Sequence, residues 1–123
     1  MIYSPSAAFL QTAGVVFADQ VEHLWRIDLD QNLRVLGAEL VGAGDDSMVR
    51  VRAAQVFRGA LVVGSSRIVI AHNHPKGVAV PSSRDRIETQ RIGVVGSILG
   101  VQLLDHILVG AETLFSFKEK GLI

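Results

Sequence analysis

Between Val21 and Asp30 the chain alternates, with Val21, His23, Trp25, Ile27 and Leu29 on one side and Glu22, Leu24, Arg26, Asp28 and Asp30 on the other. A period of two predicts a strand, and the second set gives it a mostly polar face. "DQN" at 30–32 is turn material, so "LRVLGAELV" at 33–41 is expected to return as the partner strand of a hairpin, followed by a loop, "GAGDDS". Upstream, Pro5 and Ser6 open a helix expected to reach about Ala18, with Ala8, Phe9, Leu10, Val15 and Val16 on its apolar face and Gly14 weakening its middle.

After the hairpin, "VRVR" starts as a short strand. The pattern then turns helical from about Ala53 to Val63, with Val56, Phe57, Ala60 and Leu61 on one face and Gly64 as a stop. "SRIVIAH" at 66–72 is a nearly continuous apolar run, the mark of a central strand buried on both faces. "SRDRIETQRIGVVGSILG" predicts a helix with Ile87, Val94, Val95, Ile98 and Leu99 inward and Gly100 at its end. "VQLLDHILVG" and "LFSFKEKGL" close the order as strands, or as a strand and a tail. The sum is an α/β (α+β) domain with one mixed sheet flanked by helices, spanning 1–123 as a single unit.

Composition narrows the function classes. The chain has 123 residues, enough for a core without staples, and no cysteine, which excludes disulfides, a thiolate nucleophile and cysteine-ligated zinc and fits a cytoplasmic setting. Twelve basic residues balance twelve acidic ones, so no basic excess points to nucleic acid. A hydrophobic share of 49% leaves room for a second copy, a homodimer, to cover apolar surface. The greasiest stretch, 59–71, is interrupted by Ser65, Ser66 and Arg67 and is shorter than the roughly 20 apolar residues of a membrane span. The first residues lack a basic segment ahead of an apolar one and read as no export signal.

The candidate chemistry lies in "HNHPKGVAVPSSRD", residues 72–85. In an extended chain His72 and His74 point to the same side and can converge on one ion. Asp85 follows a Pro-Lys-Gly turn and sits near the start of the next helix. Two imidazoles and a carboxylate leave a fourth tetrahedral position for water, the arrangement of catalytic zinc, which lowers the pKa of that water to about 7. The plainer explanation is that Ser82 to Asp85 form a capping box, contributing about 1 kcal/mol, and that the histidines line a polar turn.

The spacing His72-x-His74-Pro75, then Ser82-x-x-Asp85, resembles the JAMM motif of the JAB/MPN metalloprotease family at every fixed position. "HNHPKG", "PSSRD", "LLDHILVG" and "SFKEKGL" look like its bacterial RadC-type branch, and the resemblance runs from about Glu22 to Leu122. It implies a cytidine-deaminase-like fold with a curved mixed sheet between helices, and a Zn2+ ion held by His72, His74 and Asp85. It also implies Glu22 as general base and Ser82 as donor to the oxyanion of the tetrahedral intermediate. The implied activity is hydrolysis of a peptide or isopeptide bond, on a peptide, a protein or a ubiquitin-like tail.

The bland reading of Glu22 is a strand glutamate in a salt bridge. His23 should face away from the site, Asp28 and Asp30 read as hairpin residues, and Trp25 and Phe57 as core. Asp105 and His106, being adjacent, cannot both join a site and read as a partly buried polar pair, supporting the ligands from behind rather than joining them. Three departures from the branch pattern concern substrate choice: Lys76 where serine is usual, Asp45-Asp46 near a usual Gly-Thr stretch, and no counterpart of an N-terminal helix-hairpin-helix-like region. The rival function is a non-catalytic module associated with DNA repair or recombination.

Overall fold

The computed structural model describes residues 1–17, 21–44, 51–75 and 77–123. Its elements run α1 (Ala7–Thr12), β1 (His23–Leu29), β2 (Val35–Ala43), α2 (Ala53–Val63), β3 (Arg67–Asn73), α3 (Ser83–Leu99), β4 (Gln102–Val109) and β5 (Leu114–Ser116). The strands form one sheet in the order β2-β1-β3-β4-β5. Only β3 and β4 are parallel, because α3 carries the chain back between them, whereas the other neighbours are antiparallel. The mixed sheet flanked by helices is therefore as expected from the periodicity.

β3 is apolar on both sides because both sides are covered. Ile68 and Ile70 pack with Val56, Phe57 and Ala60 of α2 and Ile92 of α3. Val69 and Ala71 pack on the opposite face with Phe9 and Leu10 of α1 and Ile27 and Leu29 of β1. Among the described residues no helix is long and apolar enough to cross a membrane.

Several expectations are corrected. α1 ends at Thr12, because the chain turns at Gly14 with φ +89°, so Val15 is buried from outside a helix while Ala8 and Val16 face solvent. Ala18 lies outside the described residues. β2 begins two residues late, at Val35: Asp30 accepts the N–H groups of Asn32 and Arg34, and Leu33 takes the left-handed conformation at φ 65°. Of the "VRVR" segment, Val51 and Arg52 are not in a strand, and the rest lies outside the described residues, as do Asp45 and Asp46. Leu61 is half exposed at the rim of α2, and Trp25 is half-buried with its indole N–H on the Val16 carbonyl, while Phe57 is core.

The polar side of β1 is buried. Arg26 and Asp28 are 1% and 2% exposed and form a two-pronged pair at 2.8 and 2.9 Å. Arg26 also donates to the Val56 carbonyl and pairs with Glu39, and Asp28 accepts the Ser65 hydroxyl at 2.7 Å. Asp28 is thus part of a buried ion pair and not of the hairpin turn, where Asp30 does sit. Gly59 makes room for it: a Cβ there would lie 2.4 Å from Glu39 Oε1 and 2.7 Å from the Arg26 guanidinium.

α3 turns a face to the sheet that the hydrophobic pattern did not mark. Asp85, Thr89, Ile92 and Gly96 are buried, whereas Ile87, Val94, Ile98 and Leu99 are exposed and Val95 is partly buried. The inward line is polar at its first turns because it borders the site described below. It is glycine at its last because a Cβ at Gly96 would lie 2.3 Å from the Val101 carbonyl.

Candidate metal centre

β3 points Ile68, Ile70 and His72 toward the α2/α3 layer, so its last inward side chain is His72, 2% exposed. His74 continues the extended path, its N–H bonded to the Val109 carbonyl at 2.8 Å, and its ring meets that of His72 edge-on, centroids 5.1 Å apart. The chain then crosses Gly110, where a Cβ would come 2.7 Å from Ala79 N and 2.9 Å from the Gly77 carbonyl. Thr113 receives the Ala79 N–H at 3.0 Å. These contacts moor the loop that delivers Ser82 to the start of α3; Lys76 lies outside the described residues.

At that start the capping box expected from the sequence is present. Ser82 Oγ accepts the Asp85 N–H at 3.0 Å and Asp85 Oδ2 accepts the Ser82 N–H at 2.9 Å. The cap fixes the carboxylate without excluding it from the histidines. Asp85 Oδ2 lies 3.5 Å from His74 Nε2, and Asp85 Oδ1 lies 3.9 Å from His72 Nδ1. Capping and contact with the histidines coexist in one residue.

Glu22 arrives from the other side. Leu24 is opposite His72 in the β1/β3 pairing, so Glu22, two residues earlier and just ahead of β1, falls on the same face, 3.5 Å from His72 Nε2. His23 faces the opposite way, as expected. Between the two histidines, Asn73 turns to the far side, where its amide oxygen accepts the His23 N–H at 2.6 Å and its amide donates to the Val21 carbonyl at 3.1 Å. It grips the backbone on both sides of Glu22. A lone Asn between two histidines gave no sign of this in the sequence.

Burial and charge set the protonation states. Burial pushes the His72 imidazole down to about 4, more than Asp85 raises it. His74 moves up, chiefly through its hydrogen bond to Asp85. Burial raises the Asp85 carboxyl, but the bonds from His74 and Ser82 and the neighbouring His72 outweigh it and hold the group below the usual carboxylate range. A neutral His72 and an ionised Asp85 are the forms that ligate metal, whereas His74, shifted toward its protonated form, has to release a proton to an incoming ion.

Both ring nitrogens of His72 are buried without a hydrogen-bond partner, a cost that a ligand would repay. Glu22, His72 and His74 offer donor atoms within 4.8 Å of one another, and Asp85 lies across the histidine pair from Glu22. The nitrogen and oxygen donors fit a divalent ion of the zinc type. All five residues singled out in the sequence, Glu22, His72, His74, Ser82 and Asp85, thus meet at one end of β3.

Asp105 and His106 diverge as expected, but both are fully buried, not partly. Ile68 pairs with Leu103 and Val69 with Asp105, so β4 holds one extra residue at Leu104. That shift sends Asp105 to the α1 side, where Tyr3, Ser116 and the Lys118 N–H bond it, and sends His106 to the α3 side. There His106 Nδ1 lies 2.7 Å from Thr89 Oγ1. A bulge leaves no mark in periodicity, which is why the sequence does not show which of the pair faces the site.

Comparison with known proteins gives the family. The RadC-like JAB domain family matches residues 2–122. Among relatives, a UPF0758 protein of Thermotoga maritima is 42% identical over 97 residues, covering 77% of this chain and 43% of that protein. One from Pelodictyon phaeoclathratiforme is 33% identical, covering 94% and 52%, and one from Clostridium botulinum 37%, covering 99% and 53%. The chain spans about half the length of the curated relatives it matches, and their names state no activity. The five-stranded mixed sheet and the match over nearly its whole length place the chain in the RadC-like JAB domain family.

Proposed function

We propose that this domain is a zinc-dependent hydrolase of a peptide or isopeptide bond. The observation that carries the reading is a buried His72 with both nitrogens unbonded, set among His74, Glu22 and Asp85. His72, His74 and Asp85 hold the ion: Asp85 is buried, anchored through Oδ2 by the cap, and turns Oδ1 to His72. When bound, zinc supplies Lewis-acid activation of water and of the amide carbonyl.

The chain's own groups do the rest. Glu22, with its side chain 25% exposed and 3.5 Å from His72, is the base that takes a proton from the attacking water and returns it to the leaving nitrogen. Ser82 Oγ accepts from Asp85 N–H at the exposed start of α3, and its hydroxyl turns from the Asp85 carboxylate to donate to the carbonyl oxygen as charge develops there. Ser82 is exposed and His74 half-buried, so the substrate approaches from the surface. An extended peptide or the tail of a ubiquitin-like protein suits such an open approach.

The test is metal content of the purified protein with His74→Ala and Asp85→Ala beside it, followed by a peptide-library cleavage assay. About one zinc per chain, lost in both variants, together with cleavage abolished in Glu22→Gln at unchanged zinc content, supports the reading. A folded protein that takes up no zinc ends it.

A further inference from the structure

His106 is a third imidazole beside the metal centre, to which the hydrolase reading gives no task. It is fully buried, stacked on Phe117 with centroids 4.6 Å apart and rings 12° from parallel, and 6.2 Å centroid to centroid from His72. Its surroundings settle where its proton lies. Thr89 has one hydroxyl hydrogen, and Thr89 Oγ1 is 2.5 Å from the Asp85 carbonyl, which can only accept. That hydrogen is therefore spent, and toward His106 Nδ1, at 2.7 Å, the Thr89 oxygen can only accept. The ring carries its hydrogen on Nδ1, and Nε2 is a bare lone pair.

That lone pair is buried and has no donor. His72 presents the complementary need. Once one of its ring nitrogens holds a metal ion, the other carries an N–H, and metal-bound histidines almost always give that N–H to an acceptor. Neither nitrogen of His72 makes a hydrogen bond among the described residues: Glu22 Oε1 stands 3.5 Å from Nε2 and Asp85 Oδ1 3.9 Å from Nδ1, and on the hydrolase reading both carboxylates are engaged by the ion and its water. The two rings are close enough for a small rotation, or one bridging water, to join them.

We propose that His106 is a positioning residue of the metal centre: its bare Nε2 takes the spare ring N–H of His72, and Thr89 fixes the tautomer that makes this acceptor available. The proposal rests on the metal reading above. Thr89 serves both sides, since the same hydroxyl pins the carbonyl of Asp85. The arrangement links β4, α3 and β3 beneath the ion through side chains that do not touch substrate.

The experiment compares zinc affinity, by chelator competition, with the metal-free melting temperature in four variants. His106→Phe keeps the stack on Phe117 and removes both nitrogens. We expect it to melt no lower than the parent when metal-free, since an unbonded buried nitrogen is gone, yet to bind zinc 10- to 100-fold more weakly. His106→Gln, whose amide oxygen can stand near the position of Nε2, restores most of that loss. Thr89→Val lowers zinc affinity through the tautomer, and Thr89→Ser restores it. Nitrogen-15 spectra of the metal-free parent should show His106 protonated on Nδ1.

Protonation on Nε2, or parental zinc affinity in both His106→Phe and Thr89→Val, overturns the proposal. Should His106→Phe not fold, Thr89→Val and the tautomer decide. A parent that binds no zinc removes the hydrolase reading and this inference together; a parent that binds zinc while the variants match it removes this inference alone.

Discussion

Two polar clusters lie buried under the same helical layer, and they are built by opposite rules. Around Arg26 every nitrogen of the guanidinium has a partner, in Asp28, Glu39 or the Val56 carbonyl, and Ser65 completes Asp28. Around His72 three buried imidazole nitrogens, two on His72 and one on His106, have none. Satisfied groups rigidify a core, whereas desolvated groups without partners cost stability and are kept when something absent from the free chain completes them. The difference sets the Arg26 cluster apart as internal scaffolding and leaves the His72 cluster as the candidate place for a ligand.

The largest effect should come from breaking the satisfied cluster. Asp28→Ala strands a buried guanidinium and is expected to cost about 3–5 kcal/mol of stability by chemical denaturation, while the folded fraction keeps its zinc. If zinc is lost instead with stability intact, the two clusters are not independent and the comparison fails.

Acid should act on the unsatisfied cluster next. Folded His72 and His106 are pushed down to about 4 and about 3 by burial, below the ordinary 6.5 of an unfolded imidazole. They bind fewer protons folded than unfolded, so the stability they contribute is full above pH 6.5 and drains as pH falls toward 4 and then 3. Asp85, depressed in the fold, adds to the loss below the usual carboxylate value, while His74, raised, contributes in the opposite sense and loses its share as pH rises through its own value. The metal-free protein should therefore lose a few kcal/mol between pH 7 and 4, read as a falling denaturation midpoint; a flat midpoint would show that these nitrogens find partners in solution.

The smallest effect sharpens the contrast inside the site. Asn73→Ala removes the grip on the backbone around Glu22 and is expected to cost about 1–2 kcal/mol from two hydrogen bonds. Its zinc content should be unchanged, since Asp85 is held separately by its cap, but cleavage should slow. Equal losses of zinc and rate would mean that Glu22 and the ligands are not held independently.

What was legible in the sequence followed from local pattern. The order of elements, the limits of α2, the buried β3 and the capping box at Ser82 come from periods and caps that neighbouring residues specify. The resemblance supplied Glu22, which spacing could not reach, because it lies far off in sequence, just ahead of another strand. The failures about which side chains are buried have one cause: polar residues turned inward. Arg26 and Asp28 look like a solvated face of β1, and Asp85 and Thr89 make the buried side of α3 look like the exposed one, so the greasy Ile87, Val94 and Ile98 were assigned to the core. His106 is named by the sequence but its orientation is not legible there, because a single extra residue in β4 decides its side.

The connectivity of the site also orders its assembly in time. His72, His74 and Asp85 occupy one short stretch, joined by a loop and the first turn of a helix that can form from local contacts. Glu22 joins only when β1 docks beside β3, a distant pairing that closes a long loop and forms slowly. On the hydrolase reading, the ligands come from one local stretch and the base from a distant pairing, so holding the ion asks less of the completed fold than turnover does.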